Sequence, residues 1–467
     1  MCGLVGVFNQ KRLAADYLYV LLAMLQHRGK QSAGAVISEK QLFRSISGLG
    51  EVLQVFSSAR LSGLGGKIGI GHVRYGTSGA YDASNIQPLS GSFKGHDFFL
   101  AHNGNLVNTR ELKRQLGREI SDAESDTRVI AALLSSSRAA DFESALLATA
   151  EKLRGAFNLV LLFDNKIYAL RDPFGFHPLQ LGRSDDGWVV ASENCAFNHL
   201  GVKLVRDIAP GELLVIDQSG PSRIDRLPPR ELKFDIFEFI YFSRPDSTVQ
   251  RAHVGSARKL MGRKLALEHE VEADIIVPVP DSGNNAALGF YRLMVDSGVR
   301  VDYEPEAIFR PRLVGRTFIE PIKDRKEKYL LKFNPQRVLL RGRRVVLVDD
   351  SIVRGNSMKT IIAMVRRAGA RKVSVVSASP KYRYPDFYGI DTHRDRGELI
   401  ARRLNGDVEV IRKELGADYL GYLSLEATIQ AILEAAPDSG LTKDSFYTGP
   451  FTGEYPAGVG DFAAALE

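Results

Sequence analysis

Cysteine is almost absent from this 467-residue chain: only Cys2 and Cys195 occur. Two thiols cannot build a disulfide framework or a four-thiolate metal site, which points to a reducing, cytoplasmic setting. No run approaches the roughly 18–20 uninterrupted apolar residues of a membrane span, and the short apolar start lacks the basic flank of a signal peptide. Charge of one sign is scarce too: 62 basic against 55 acidic residues leave +7. That balance argues against a general nucleic-acid binder, and neither a nucleic acid nor a membrane is expected as a partner. What remains, 44% hydrophobic and 25% charged residues, is ordinary for a globular chain of two large or about three smaller domains.

Residues 1 to about 220 alternate Gly-bounded apolar runs with short stretches of three-and-four periodicity at 14–26, 108–116 and 125–135. Packed sheets with helices outside are the expected result. Pro221, Pro228 and Pro229 mark a change near 220–235, giving domains 1–225 and 226–467. Beyond it, apolar strands at 275–279, 344–348 and 373–377 alternate with helical stretches at 285–297 and 357–368. This pattern predicts a parallel sheet covered on both faces, ending in a helical C-terminal tail at 397–415 and 423–435.

A cysteine this rare at position 2 invites explanation. Loss of Met1 would give Cys2 both a thiol and a free α-amine. Such an amine has an ordinary pKa near 8, so a useful fraction is neutral at pH 7 and accepts the thiol proton. Arg74 in Gly71-His-Val-Arg-Tyr-Gly76 offers a fork for a substrate carboxylate. Asn103 and Gly104 in Leu100-Ala-His-Asn-Gly-Asn105 offer two donors to an oxyanion. Asp126, after Ser125, offers a carboxylate to a substrate ammonium. Taken singly, each has a plainer reading as a surface ion pair, a turn or a helix cap.

Residues 344–357 read Arg-Val-Val-Leu-Val-Asp-Asp-Ser-Ile-Val-Arg-Gly-Asn-Ser: a strand, an acidic pair, then a small-residue loop opening a helix. The amides of such a loop hold a phosphate, while Asp349 and Asp350 suit ribose hydroxyls or a Mg²⁺ ion. A second loop, Val277-Pro-Val-Pro-Asp-Ser-Gly283, is expected to face a pyrophosphate. Basic residues crowd the stretch between the loops, including Arg310, Arg312, Arg316, Lys332 and Arg344. A lid over an anionic substrate is preferred there to a solvated surface or an RNA-binding face.

In its first half the chain resembles the class II glutamine amidotransferases of the N-terminal nucleophile hydrolases, through Cys2-Gly-x-x-Gly6, Gln26-His-Arg-Gly29, Gly71-His-x-Arg74, His102-Asn-Gly-Asn105 and Ser125-Asp126. In its second half it resembles the type I phosphoribosyltransferases. Together the halves resemble the glutamine phosphoribosylpyrophosphate amidotransferases, with further matches at Arg171-Asp-Pro-x-Gly175 and Tyr241-Phe-Ser-Arg-Pro-Asp-Ser247. The resemblance implies an αββα sandwich (α+β) followed by an α/β parallel-sheet domain. It also implies transfer of glutamine nitrogen to phosphoribosylpyrophosphate, giving 5-phospho-β-ribosylamine, glutamate and pyrophosphate at the first step of purine synthesis.

Carried onto this sequence, the resemblance makes Cys2 the nucleophile, Asn103 and Gly104 the oxyanion donors, and Arg74 and Asp126 the glutamine grip. Phosphoribosylpyrophosphate would meet Asp281, Gly283, Lys332, Asp349, Asp350, Ser351, Val353, Arg354, Gly355, Asn356 and Ser357. Mg²⁺ would meet Ser282, Asp349 and Asp350. Purine nucleotides are implied as feedback inhibitors, and a homotetramer or homodimer as the assembly. Part of the family carries an iron–sulfur cluster on four cysteines; here those positions are Asp235, Asp386, Tyr447 and Pro450, so no cluster is expected. Lys30-Gln31, His177, Arg310 and Leu330 also depart from the usual pattern. Two alternatives remain: a diverged paralogue aminating a modified sugar pyrophosphate, and a nucleotide-sensing regulator on the phosphoribosyltransferase fold.

Overall fold

The computed structural model describes residues 1–39, 42–75, 83–117, 125–228, 230–311, 332–390, 392 and 396–466. Leu330 and the lid residues Arg312 and Arg316 fall outside these ranges.

Two antiparallel sheets form the first half. One runs in the order Lys203–Asp207, Gln180–Ser184, Gly187–Ala191, Gly3–Asn9, Ile68–Arg74, Ser32–Glu39, Leu42–Leu49. The other runs Gly220–Arg226, Glu212–Asp217, Lys166–Arg171, Gly155–Phe163, His96–Leu106, Leu89–Phe93. Strand alternation explains the layering. In Gly3–Asn9, Val5 and Val7 face a core shared with helix Ala14–Met24, whose Ala14, Leu18, Leu21 and Leu22 recur at helical spacing. Leu4 and Phe8 face the opposite way, into a core with Val160, Leu162 and Ile167 of the second sheet. Helices Asp126–Ser135 and Phe142–Ala150 cover that sheet's outer face through Val129, Ile130, Phe142 and Leu146. The αββα sandwich is therefore as expected.

The second half is built on a five-stranded parallel sheet in the order Asp302–Tyr303, Ile275–Pro278, Arg344–Asp349, Lys372–Ser377, Tyr419–Tyr422. Val346 and Val348 enter the core beneath helices Val254–Glu268, Asn284–Asp296 and Leu425–Ala435. Val345 and Leu347 enter the core beneath Asn356–Arg367 and Val408–Leu415. Each fully buried Val or Leu contributes about 1.5–3 kcal/mol, so both faces are firmly covered. The stretch read as a helical tail belongs to this layer structure: Tyr419–Tyr422 is its outer strand, and Leu425–Ala435 packs back against Val254–Glu268.

The basic run is also corrected in part. Arg343 and Arg344 lie at the entry of strand Arg344–Asp349, paired with Asp302, Asp274 and Glu272. A six-residue strand, about 20 Å long, separates that edge from the acidic pair, so these two arginines are structural.

Candidate active sites

Cys2 immediately precedes strand Gly3–Asn9, and at 7% exposure it lines a small open cleft. Arg74, Tyr75, Gln87, His102, Gly104, Ser125, Asp126 and Thr127 line the rest. Strand pairing accounts for this: Gly3 lies opposite Val73, which puts Cys2 beside the end of Ile68–Arg74. The thiol lies 3.5 Å from the Tyr75 amide, which donates to it. With Met1 in place the Cys2 nitrogen is an amide that donates to Asn103 Oδ1 at 2.7 Å. Asn103 Nδ2 is buried and has no partner among the described residues, as an oxyanion donor awaiting its ligand would be. Gly104 takes φ +150°, where a Cβ would stand 2.0 Å from the Ala156 carbonyl oxygen, so only glycine fits.

Arg74 is anchored through Nη1 to the Asn85 carbonyl at 3.1 Å. Asp126, in the first turn of its helix, accepts from the Thr127 amide at 2.8 Å and the Leu106 amide at 3.2 Å. Gln87 braces the wall by donating to Thr127 Oγ1 and accepting from the His102 amide. His72 behind the wall is held neutral, its pKa lowered to about 3 by burial and then by the Arg74 charge. All five amidotransferase-site residues expected from the sequence are thus gathered around one cleft or its rim.

Arg28, in Gln26-His-Arg-Gly29, is a functional residue that sequence reasoning leaves without a role. Its buried guanidinium donates to the Cys2 carbonyl oxygen at 2.9 Å, to Glu193, and to both carboxylate oxygens of Glu238. Glu193 also receives His27, Ser247 Oγ and the Arg244 amide. His27, Glu193 and Cys195 are metal-type donors within 4.8 Å of one another. The Glu193 carboxylate is already committed to an arginine, which makes this cluster an ion-pair knot. Glu238 is a carboxylate inside the apolar run 236–242, and that misplaced charge is the signal that could have found it.

Asp349 and Asp350 lie at the carboxyl end of strand Arg344–Asp349, where parallel-sheet ligands bind. Both are buried, and burial together with the Asp350 charge holds the Asp349 carboxyl well above its ordinary range. Ser351 Oγ donates to Asp350 at 2.7 Å. The loop turns through Gly355 at φ +80°, against Ile400 and Leu415, into helix Asn356–Arg367. Val353 is tied by its carbonyl to the Ile400 amide, and Arg354 pairs with Glu398.

The second loop sits alongside, since Pro278 is in register with Val348 and the Val279 amide donates to the Val348 carbonyl. Gly283 passes so close that a Cβ would stand 2.4 Å from the Val348 oxygen. Asp281 is exposed and paired with Arg310. The Lys332 ammonium responds to Asp281 and Asp349, though burial and Arg310 lower its pKa overall. Ser282, Asn356 and Ser357 occupy the same two loops or the helix start.

Tyr241 is 49% exposed, and residues of both sites act on its hydroxyl. Its pKa is pushed up to about 12, by desolvation first and then by Asp350 and Tyr75.

Comparison with known proteins agrees over both halves. Residues 74–199 match the glutamine amidotransferase domain family. Amidophosphoribosyltransferase 1 of Arabidopsis thaliana is 41% identical over 97% of this chain and 78% of its own. The Archaeoglobus fulgidus amidophosphoribosyltransferase is 40% identical over 98% of each chain. The chain belongs to the amidophosphoribosyltransferases. A solved Bacillus subtilis glutamine phosphoribosylpyrophosphate amidotransferase, complexed with ADP and GMP, superposes with a TM-score of 0.88 at 37% identity over 98% of each chain. As an amidophosphoribosyltransferase the chain is an enzyme, a pentosyltransferase carrying its own glutaminase domain. Among the described residues no helix is long and apolar enough to cross a membrane.

Proposed function

We propose that this amidophosphoribosyltransferase works with Cys2 as nucleophile and Asp349–Asp350 as the anchor of the sugar substrate. Arg74 and Asp126 would grip the carboxylate and ammonium of glutamine, leaving its side-chain amide at the thiol. Cys2 Sγ attacks the amide carbon, and the oxyanion is met by Asn103 Nδ2 and the Gly104 N–H. Collapse releases ammonia and leaves a thioester, which water cleaves to glutamate. The base is the Cys2 α-amine, which exists only after Met1 is removed; Asn103 Oδ1 is already placed to orient that nitrogen.

At the second site the amides of 351–357 receive the 5-phosphate, while Asp349 and Asp350 receive the ribose hydroxyls. Asp281, Gly283 and Lys332 flank the pyrophosphate. Ammonia then displaces pyrophosphate at C1 with inversion. Ammonia keeps its lone pair only while shielded from bulk water at neutral pH, so its crossing between the two sites must be enclosed. Two adjacent buried carboxylates that resist joint ionisation fit a hard divalent cation such as Mg²⁺, held by Asp349, Asp350 and Ser282. When bound, such an ion neutralises charge on the departing pyrophosphate. The relative solved with ADP and GMP supports purine nucleotides as feedback inhibitors, and two free thiols suit the reducing cytoplasm.

The observation that carries this reading is that one chain presents both sites: Arg74, Gly104 and Asp126 around the Cys2 thiol, and Asp349–Asp350 at the carboxyl end of a parallel strand. Glutamine labelled with ¹⁵N in its amide tests it: incubation with phosphoribosylpyrophosphate should put the label on C1 of a phosphorylated pentose. Label found only in free ammonia overturns it.

A further inference from the structure

Three successive carbonyls of the second half, at residues 387–389, each accept a hydrogen bond from the glutaminase half. Phe387 O accepts from Asn105 Nδ2 at 2.8 Å, Tyr388 O from His177 Nε2 at 2.9 Å, and Gly389 O from the Met1 amine at 3.3 Å. The strip is rigid from its own side as well. Asp386 accepts from the amides of Tyr388 and Gly389. The Phe387 ring stacks on Phe462 and Tyr388 packs on Tyr447, while Phe176 of the glutaminase half also meets Tyr388. Gly389 has no room for a side chain: a Cβ would stand 2.8 Å from His177 Nε2. Once Met1 is lost, Asn105 and His177 are the donors that remain of these three.

Asn105 belongs to the same strand as the two oxyanion donors, His96–Leu106, and is 3% exposed. Asn103 is fixed to Cys2 and Leu106 to Asp126, so the residue between the two catalytic attachments is sutured to the other domain. We infer that Asn105 is a positioning residue: by bonding the 387–389 strip it sets the oxyanion donors against the thiol, with His177 holding the same strip one carbonyl further on. The inference rests on the glutaminase assignment above. A shift of under an ångström in an oxyanion donor weakens transition-state stabilisation more than ground-state binding. The loss should therefore fall on kcat more than on KM, because Arg74 is anchored to Asn85 and Asp126 is held by the Thr127 amide as well as by Leu106.

The test compares Asn105→Asp, which keeps the shape but turns an acceptor toward Phe387 O, with His177→Leu, His177→Gln and the double variant Asn105→Asp/His177→Leu in the full-length protein. Asn105→Asp and His177→Leu should each lower kcat for glutamine by about ten-fold or more, on the scale of a misplaced oxyanion donor. KM for glutamine should stay within about three-fold, and turnover with free ammonia should be unchanged. His177→Gln restores a donor at the same reach and should recover most of the rate. The double variant should be little worse than the poorer single one, since both act through one strip. A rise in KM at constant kcat, an equal loss of ammonia-dependent turnover, or fully additive effects would each overturn the inference. Failure of the unmodified enzyme to release glutamate would instead overturn the glutaminase assignment.

Discussion

Arg28 Nε donates to the Cys2 carbonyl oxygen at 2.9 Å while the far side of the same guanidinium holds Glu238. The carbonyl next to the nucleophile is thus tied by one rigid side chain to the segment Glu238–Phe242, which carries Tyr241. The guanidinium is fully buried, and the carboxylates of Glu193 and Glu238 overcome the burial that would otherwise disfavour its charge.

That arrangement predicts a steep cost for breaking the pair. Glu238→Ala leaves Arg28 with Glu193 and strips Ser243 Oγ of its acceptor. Removing one partner of a buried ion pair typically costs about 3–5 kcal/mol. Urea unfolding should show a loss of that order, with Glu238→Gln losing less. A loss below about 1 kcal/mol would mean the junction is solvated.

Cys2→Ala should abolish glutamine-dependent turnover and leave turnover with high free ammonia, because the second site does not use the thiol. Steady-state rates with the two nitrogen donors decide it; parallel loss would contradict separate sites. Mass spectrometry of the wild-type protein should find Met1 absent, since the attached Met1 turns the proposed base into an amide.

Asp350→Asn should act in the opposite sense. Basal glutamine hydrolysis should persist, while pyrophosphate release falls by about ten-fold or more as one charged contact to the sugar is lost. Isothermal titration should show weaker binding of phosphoribosylpyrophosphate and a reduced Mg²⁺ dependence. Unchanged binding would remove Asp350 from the site.

Much of this was legible from local patterns. The near-continuous apolar runs at 3–9 and 344–349 read as strands covered on both faces, and the Gly and Asp punctuation locates both loops. Helix 14–26 is read to within two residues of its observed end, Met24. The strand Tyr419–Tyr422 was missed because four residues carry too little periodicity to separate a strand from the end of a helix. Arg28, Glu238 and Tyr241 were missed as functional residues for another reason. Their partners are 26 to 210 positions away, so no local spacing records the contact. Arg344 reads as part of a lid because charge reveals solvent affinity and not which edge of a sheet it decorates.

Asp386 gives the last prediction. Its carboxyl is fully buried and raised to about 6, by burial first, with the Tyr388 and Gly389 amides opposing. The groups facing it are Asp235, the Met1 amine and the hydroxyls of Tyr382, Tyr388, Tyr447 and Tyr455, while Asp235 is raised well above its ordinary range by burial and by Asp386 itself. A carboxyl raised in the folded state binds a proton that the unfolded chain releases near pH 4. Its contribution is complete below that pH and is lost as pH rises through about 6. Two pKa units correspond to about 3 kcal/mol. Asp386→Asn keeps the amide-accepting oxygen but cannot ionise, so its unfolding free energy relative to wild type should climb by that order between pH 4 and 7. A difference that stays flat across this range in urea titrations would show that the carboxyl ionises as an ordinary aspartate.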